Sequence, residues 1–129
     1  MLLKCSLLVV LYASLVVAQG CSVRHAETPE FTFVHEITPQ PPRVGPVTIA
    51  LNIKDTSSAP LAGAHLNLEA NMSHAGMAPV FAEAGETTPG RYRSVMELSM
   101  AGDWHVTVHV TLPDGRKLDH DFEITGVEP

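Results

Sequence analysis

The chain has 129 residues, the size of a single small domain, and it leaves little room for a second hydrophobic core. Apolar residues make up 45% of the sequence and charged residues only 17%, a balance that excludes an intrinsically disordered acidic protein. The formal net charge is −6 and only eight residues are Lys or Arg, whereas nucleic-acid binding depends on clustered positive charge. Seven His and five Met are a high count for so short a chain and are its most informative residue types.

The first 20 residues have the features of a secretory signal peptide. Lys4 precedes an apolar run from Leu7 to Ala18, and small residues lead up to Cys21. The run is shorter than the roughly 20 apolar residues that span a bilayer. We therefore assign residues 1–20 to a cleaved, lipoprotein-type signal peptide, with a retained transmembrane helix as the weaker alternative.

Cys21 is the only cysteine left after such cleavage, because Cys5 lies in the leader, so an intrachain disulfide is impossible. The sequence Ala18-Gln19-Gly20-Cys21 resembles a bacterial lipobox, in which the cysteine is lipidated and becomes the mature N-terminus. Glutamine at the second position is a departure and leaves open a plain secreted protein with a free thiol. We predict lipidation of Cys21, anchoring of the protein to membrane lipid through the acyl chains, and a location in the cell envelope facing the periplasm or the exterior.

Downstream of Cys21 the sequence predicts an all-β domain. Three prolines among residues 38–42 favour extended backbone, so residues 21–42 are assigned to a tether and a first edge strand, and residues 43–126 to the domain itself. From residue 47 onward the hydrophobic period is two, as in half-buried strands. The predicted strands are Phe31–Ile37, Val47–Lys54, His65–Asn71, Val80–Ala84, Arg91–Met100, Trp104–Leu112 and Lys117–Ile124, the last two joined by a hairpin turn at Pro113-Asp114-Gly115-Arg116. Seven short strands in about 100 residues, with no convincing amphipathic helix, predict an immunoglobulin-like β-sandwich.

A candidate metal site follows the third predicted strand. Met72, His74 and Met77 bring two thioethers and an imidazole together within six residues. Thioether sulfur is a soft ligand that selects Cu(I), and imidazole binds copper in either oxidation state. Thiolates are oxidised outside the cytoplasm, so methionine and histidine are suitable ligands for an exported copper protein. In an extended backbone Met72 and His74 point to the same side, and Ala75-Gly76 allow a sharp turn that brings Met77 towards them.

Ordinary structural roles compete with this interpretation. Met72 continues the core-facing positions of its strand, and methionine often fills the irregular end of a core, so ligand and packing roles both remain open for it. His105 and His109 are accessory ligand candidates on the polar face of one strand, but their Cβ atoms are about 13 Å apart and cannot share one metal ion directly. Solvated surface histidines are the simpler interpretation. His120 has core parity, and we expect a neutral, hydrogen-bonded core histidine.

Three sequence motifs together resemble the YtkA-like family, which is related to FixH-like proteins. They are the run from Asn71 to Val80, the turn Pro89-Gly90-Arg91-Tyr92 and the stretch beginning Met100-Ala101-Gly102-Asp103-Trp104, in that order, and the similarity covers about residues 40–125. Members are small bacterial envelope domains with a β-sandwich fold, also found attached to heavy-metal efflux adaptor proteins. The resemblance implies a link to copper or heavy-metal handling, or to assembly of copper-containing respiratory oxidases. FixH-like members keep an N-terminal membrane helix, whereas this chain has a predicted lipid anchor.

Catalytic signatures are absent from the sequence, which contains no His-Glu-x-x-His, Gly-x-Ser-x-Gly, phosphate-binding glycine loop or Cys-x-x-Cys. We therefore predict a protein without enzymatic activity. The first hypothesis is a lipid-anchored envelope protein that binds copper, as Cu(I), or another heavy metal through Met72, His74 and Met77. It would buffer the metal or deliver it to a copper transporter, efflux system or oxidase. The second is a metal-free interaction module of a membrane complex, in which the same loop is a Met-rich contact surface.

The lipid anchor gives a direct prediction. Cys21→Ser should abolish incorporation of labelled fatty acid and move the protein from the membrane fraction to the soluble fraction, because no acyl chain then holds it to the bilayer. Unchanged membrane association in the variant would instead indicate that the leader is retained as a helix.

Overall fold

The computed structural model describes residues 30–74 and 76–129; the predicted signal peptide, Cys21 and most of the tether lie outside these ranges. The described chain forms seven β-strands. No helix within it is long and apolar enough to cross a membrane. The strands are β1 Phe31–Thr38, β2 Gly45–Asp55, β3 His65–Met72, β4 Val80–Thr88, β5 Arg91–Leu98, β6 Gly102–Thr111 and β7 Lys117–Val127.

The strands pair in the order β1-β2-β5-β4-β3-β6-β7, and every pair is antiparallel. β4 divides this order into two layers, because its residues 80–84 pair with β3 whereas its residues 85–88 pair with β5. One layer therefore contains β1, β2, β5 and the second half of β4, and the other contains the first half of β4, β3, β6 and β7. With the strands lettered A to G in chain order, these are the A-B-E-D and C-F-G sheets of the immunoglobulin arrangement, with the fourth strand shared. The predicted immunoglobulin-like sandwich is confirmed.

Alternate side chains of the strands build the core between the two layers. In β2 and β6 buried positions alternate with accessible ones, as the period of two predicts. Full burial of an aliphatic side chain contributes roughly 1.5–3 kcal/mol, so these faces dominate the stability of the fold. The largest fully buried side chains include Trp104, Tyr92, Ile49, Leu51, Leu66 and Met96.

Several predicted strand ends are displaced in the structure, and the strand pairing explains two of the displacements. β4 continues past Ala84 to Thr88, because the chain changes partner there and goes on pairing with β5. β5 ends at Leu98 rather than Met100, where its pairing with β2 stops opposite Gly45. Met100 consequently lies in the turn between β5 and β6.

The Pro-Gly-Arg-Tyr motif has a packing role at the end of the sandwich where β5 begins. The Tyr92 hydroxyl donates a hydrogen bond to the Leu61 carbonyl at 2.7 Å and accepts one from the Ala64 amide at 3.1 Å. Burial is the main reason why the pKa of Tyr92 rises to about 12. Gly90 has a φ of +79°, and a Cβ there would lie 2.5 Å from the Cβ of Pro60, so only glycine fits.

The outer strands β1 and β7 meet through side chains. Phe33 stacks on His120 with ring centroids 4.1 Å apart, and His35 stacks on Phe122 at 4.2 Å. His120 is half-buried at a core-facing position, and burial, reinforced by the nearby His35, lowers its pKa. The histidine expected in the core is therefore only half-buried, and its ring packs in an aromatic stack at the seam between the layers instead of being held by hydrogen bonds within the described chain.

Candidate metal centre

The predicted metal ligands lie at one end of the sandwich. β3 ends at Met72, and the connection to β4 follows it. The β1–β2 and β5–β6 connections emerge at the same end, because the register pairs Gly45 with Leu98 and Met72 with Trp104. We call this end the methionine tip and define it as residues 39–44, 72–74, 76–79 and 99–101.

Met72 lies at the boundary between core and tip. It is half-buried and packs against the hydrophobic core, and its backbone is paired with Trp104 of β6. The Met72 methyl carbon lies 3.1 Å from the position that a Cβ on residue 102 would occupy, so Gly102 makes room for this side chain. These contacts agree with the packing interpretation, while partial exposure leaves Met72 accessible from the tip.

His74 and Met77 extend beyond the strand. His74 is exposed and Met77 is half-buried. Between them Gly76 adopts a φ of +85°, a left-handed conformation that reverses the chain and that glycine adopts readily. The structure therefore brings all three predicted ligands to the same tip, with the two loop residues accessible to solvent.

Met100 also lies at the methionine tip, and the sequence prediction had missed it by assigning it to a strand. Its side chain is 43% exposed, and its carbonyl accepts a hydrogen bond from the buried Trp104 indole at 3.1 Å. Of the four methionines that follow Cys21, only Met96 is in the core. The turn-forming Ala101-Gly102-Asp103 stretch was the sequence signal that strand β5 ends before Met100.

The two accessory candidates, His105 and His109, lie on the outer face of the layer that contains β3, β6 and β7. His109 sits between two carboxylates, with its Nε2 3.0 Å from Glu69 and its Nδ1 2.7 Å from Asp119. Hydrogen bonds to Glu69 and Asp119 raise the pKa of His109. The hydrogen bond between His109 and Glu69 also lowers the pKa of Glu69. With both nitrogens engaged, a protonated His109 donates two hydrogen bonds and offers no lone pair to a metal.

His105 is closer to the methionine tip, since its backbone pairs with Asn71, but its ring lies among acidic groups of β7. Its Nε2 approaches Asp121 at 3.5 Å, and its Nδ1 approaches Glu123 at 3.9 Å. No group of three or more His, Cys, Asp or Glu side chains suited to a metal ion occurs in residues 30–74 or 76–129. The tip has a different kind of donor set, in which thioethers predominate.

Comparison with known proteins identifies the family. Residues 24–109 match the YtkA-like family, a span that includes β1 to β5, most of β6 and the whole methionine tip. The chain belongs to the YtkA-like family. The predicted resemblance is thereby confirmed, and β7 lies beyond the matched span of this YtkA-like chain.

Solved structures similar to this YtkA-like protein include murine CRIg, at 13% identity and a TM-score of 0.44, with 76% of this chain and 98% of that chain covered. MtrC from Shewanella baltica OS185 also matches at 13% identity and a TM-score of 0.44, over 77% of this chain and 23% of that chain. A search of curated proteins found no match.

The two perturbed histidines predict opposite effects of pH on stability. The pKa of His109 is raised, so its stabilisation is fully present below its ordinary value of 6.5 and is lost as the pH rises through the folded-state pKa. The pKa of His120 is lowered, so it destabilises the fold as the pH falls below 6.5. His109→Gln should therefore cost more stability at pH 5.5 than at pH 8. His120→Gln should compare more favourably with the wild type at pH 5.5 than at pH 8.

Urea unfolding of both variants and the wild type at the two pH values measures these differences. Each variant is the control for the other, because both replace one imidazole with the same amide. Equal pH dependence in both variants would contradict the assignment of a cationic His109 and a neutral His120.

Proposed function

We propose that this YtkA-like protein binds Cu(I) in the bacterial cell envelope and buffers it or delivers it to a partner, without catalysing a reaction. The observation that carries the proposal is the gathering of Met72, His74 and Met77 at one accessible tip of a rigid sandwich. Copper is the cargo of the protein in this proposal. Soft thioethers and an imidazole are the donors that favour Cu(I) over the harder divalent ions.

The donor chemistry suits a protein exposed to an oxidising compartment. A thioether forms no disulfide and carries no ionisable proton, so it needs no deprotonation before it binds Cu(I). Methionine and histidine are also neutral ligands, so a bound Cu(I) keeps its positive charge. A Cu(I) ion held only by neutral ligands on an exposed loop can pass to the ligands of an acceptor protein, as buffering or delivery requires.

The sandwich supports the tip from both sides. The loop carrying His74 and Met77 is fixed at its ends, since Ala70 pairs with Val80 across β3 and β4. Below it, Ala70 is fully buried, and the same stretch of β3 also pairs with β6. This framework would keep the donors close together before metal arrives, which reduces the entropy lost on binding.

The direction of the chain relative to the predicted anchor also bears on delivery. The chain enters β1 at Phe31, at the end of the sandwich opposite the methionine tip. A lipidated Cys21 would lie ten residues earlier, a tether of at most about 35 Å. The tip would then lie at the end of the sandwich opposite the anchored end, where a copper transporter, efflux system or oxidase could reach it.

A metal-free interaction module is the second candidate function. The methionine tip exposes two large hydrophobic side chains, with Val44 40% and Met100 43% exposed. Flexible methionine side chains adapt to varied partner surfaces. In this alternative the tip would contact a subunit of an efflux pump or of an oxidase assembly complex directly.

Anaerobic titration of the processed protein with Cu(I), against a competing chelator, tests the copper proposal. Met77→Leu nearly conserves volume and should cost less than about 1.5 kcal/mol of stability. It should weaken Cu(I) binding at least about tenfold, because a soft donor is lost. Met96→Leu is the matched control, since the same change in the buried core should leave Cu(I) affinity unchanged.

Cu(I) binding by the wild type that is no tighter than the micromolar range would contradict the copper proposal and favour the interaction module. If Met77→Leu binds Cu(I) with wild-type affinity, the metal site does not include this loop. Met72→Leu separates the two roles of that side chain, because only a ligand role predicts weaker Cu(I) binding from a stable variant.

A further inference from the structure

Met100 is brought to the methionine tip by the pairing of β3 with β6. Met72, the last residue of β3, pairs with Trp104, and its methyl group lies against Gly102 at the start of β6. Met100 precedes Gly102 by two residues, in the turn from β5. Residues 72 and 100 are distant in sequence, yet the turn that carries Met100 borders the end of the strand that carries Met72.

The backbone of this turn is held by a side chain of β6. The Trp104 indole N–H donates to the Met100 carbonyl at 3.1 Å, and Trp104 itself is only 1% exposed. Next to the turn, Asp103 accepts a hydrogen bond from the Gly126 amide at 2.8 Å, which ties the start of β6 to β7. The position of Met100 is therefore fixed through its main chain, and its side chain is not needed to hold the turn.

The side chain of Met100 lies outside the hydrophobic core. It is 43% exposed and is not among the hydrophobic residues packed on the core, whereas Met96 in the preceding strand is fully buried. Methionine has three rotatable side-chain bonds, so a sulfur anchored on a fixed turn can still swing towards the neighbouring loop. A fixed backbone with a mobile soft donor is suitable for closing over a metal ion.

We propose that Met100 supplies a further thioether to the Cu(I) site of the β3–β4 loop. The inference rests on the proposed function and extends its donor set from Met72, His74 and Met77 to three thioethers and one imidazole. If Met72 stays packed against Gly102 and does not reach the metal, Met100 would supply a sulfur ligand in its place. Cu(I) bound in this way cross-links the β3–β4 loop to the β5–β6 turn.

The test compares Met100→Leu with Met96→Leu in the processed protein. Both variants lose one sulfur at nearly constant volume, but only the first loses it at the tip. Met100→Leu should weaken Cu(I) binding at least about tenfold and leave thermal stability of the metal-free protein unchanged. X-ray absorption of the Cu(I)-loaded protein should count one sulfur neighbour fewer in Met100→Leu, and the same number as the wild type in Met96→Leu.

A second measurement does not depend on affinity. Ag(I) serves as a redox-stable probe for soft ligands, and labelled methionine methyl groups report it by NMR. One equivalent of Ag(I) should shift the methyl resonances of Met77 and Met100 and leave that of Met96 in place. Assignment follows from the resonance that disappears in each Met→Leu variant.

The outcomes separate the two proposals. Wild-type Cu(I) binding that depends on Met77 and is unchanged in Met100→Leu, with a stationary Met100 methyl resonance, would overturn this inference alone. Failure of the wild type to bind Cu(I) or Ag(I) would overturn both. If Met96→Leu and Met100→Leu lose Cu(I) affinity equally, the loss comes from disturbed folding and not from a missing ligand. That result would also overturn the role of Met100.

Discussion

The antiparallel pairing of β3 with β6 is the interaction on which the rest of this structure depends. It runs from His65 opposite Thr111 to Met72 opposite Trp104 and lies at the centre of one layer. A slip of one residue would exchange the buried and solvent faces of a strand, so the burial of Leu66, Leu68 and their partners fixes the register. The same register brings the β3–β4 loop next to the β5–β6 turn. Core packing therefore determines which methionines share the tip.

The family motifs differ in what packing explains. Tyr92 and Gly90 join the β2–β3 connection to β5, Trp104 holds the β5–β6 turn, and Asp103 ties β6 to β7. The Pro-Gly-Arg-Tyr and Ala-Gly-Asp-Trp motifs therefore have clear structural roles. The Asn71 to Val80 run is different, because its His74 is exposed beyond the last strand pair. Function in a small domain is expected where accessible side chains are supported by a rigid scaffold. That expectation points to the methionine tip rather than to the sandwich faces.

The histidines show how environment assigns different chemistry to one residue type. His109 lies between Glu69 and Asp119 and is stabilised as a cation, whereas burial against Phe33 favours the neutral form of His120. His74 is exposed on the loop, which leaves its ring accessible to a ligand. A high histidine count alone therefore does not define a metal site. The position of each imidazole relative to carboxylates and aromatic rings separates structural roles from the candidate ligand.

The sequence by itself determined the class of fold, the seven strands and their core faces, because hydrophobic alternation with a period of two is a local property of each strand. It also indicated Met72, His74 and Met77, whose grouping is local. Tertiary structure alone decided the change of layer within β4, the half-buried position of Met72 and the presence of Met100 at the tip. Each of these depends on which strands pair across long sequence separations. Periodicity records whether a side chain faces a core, but it carries no information about which distant turn lies beside it.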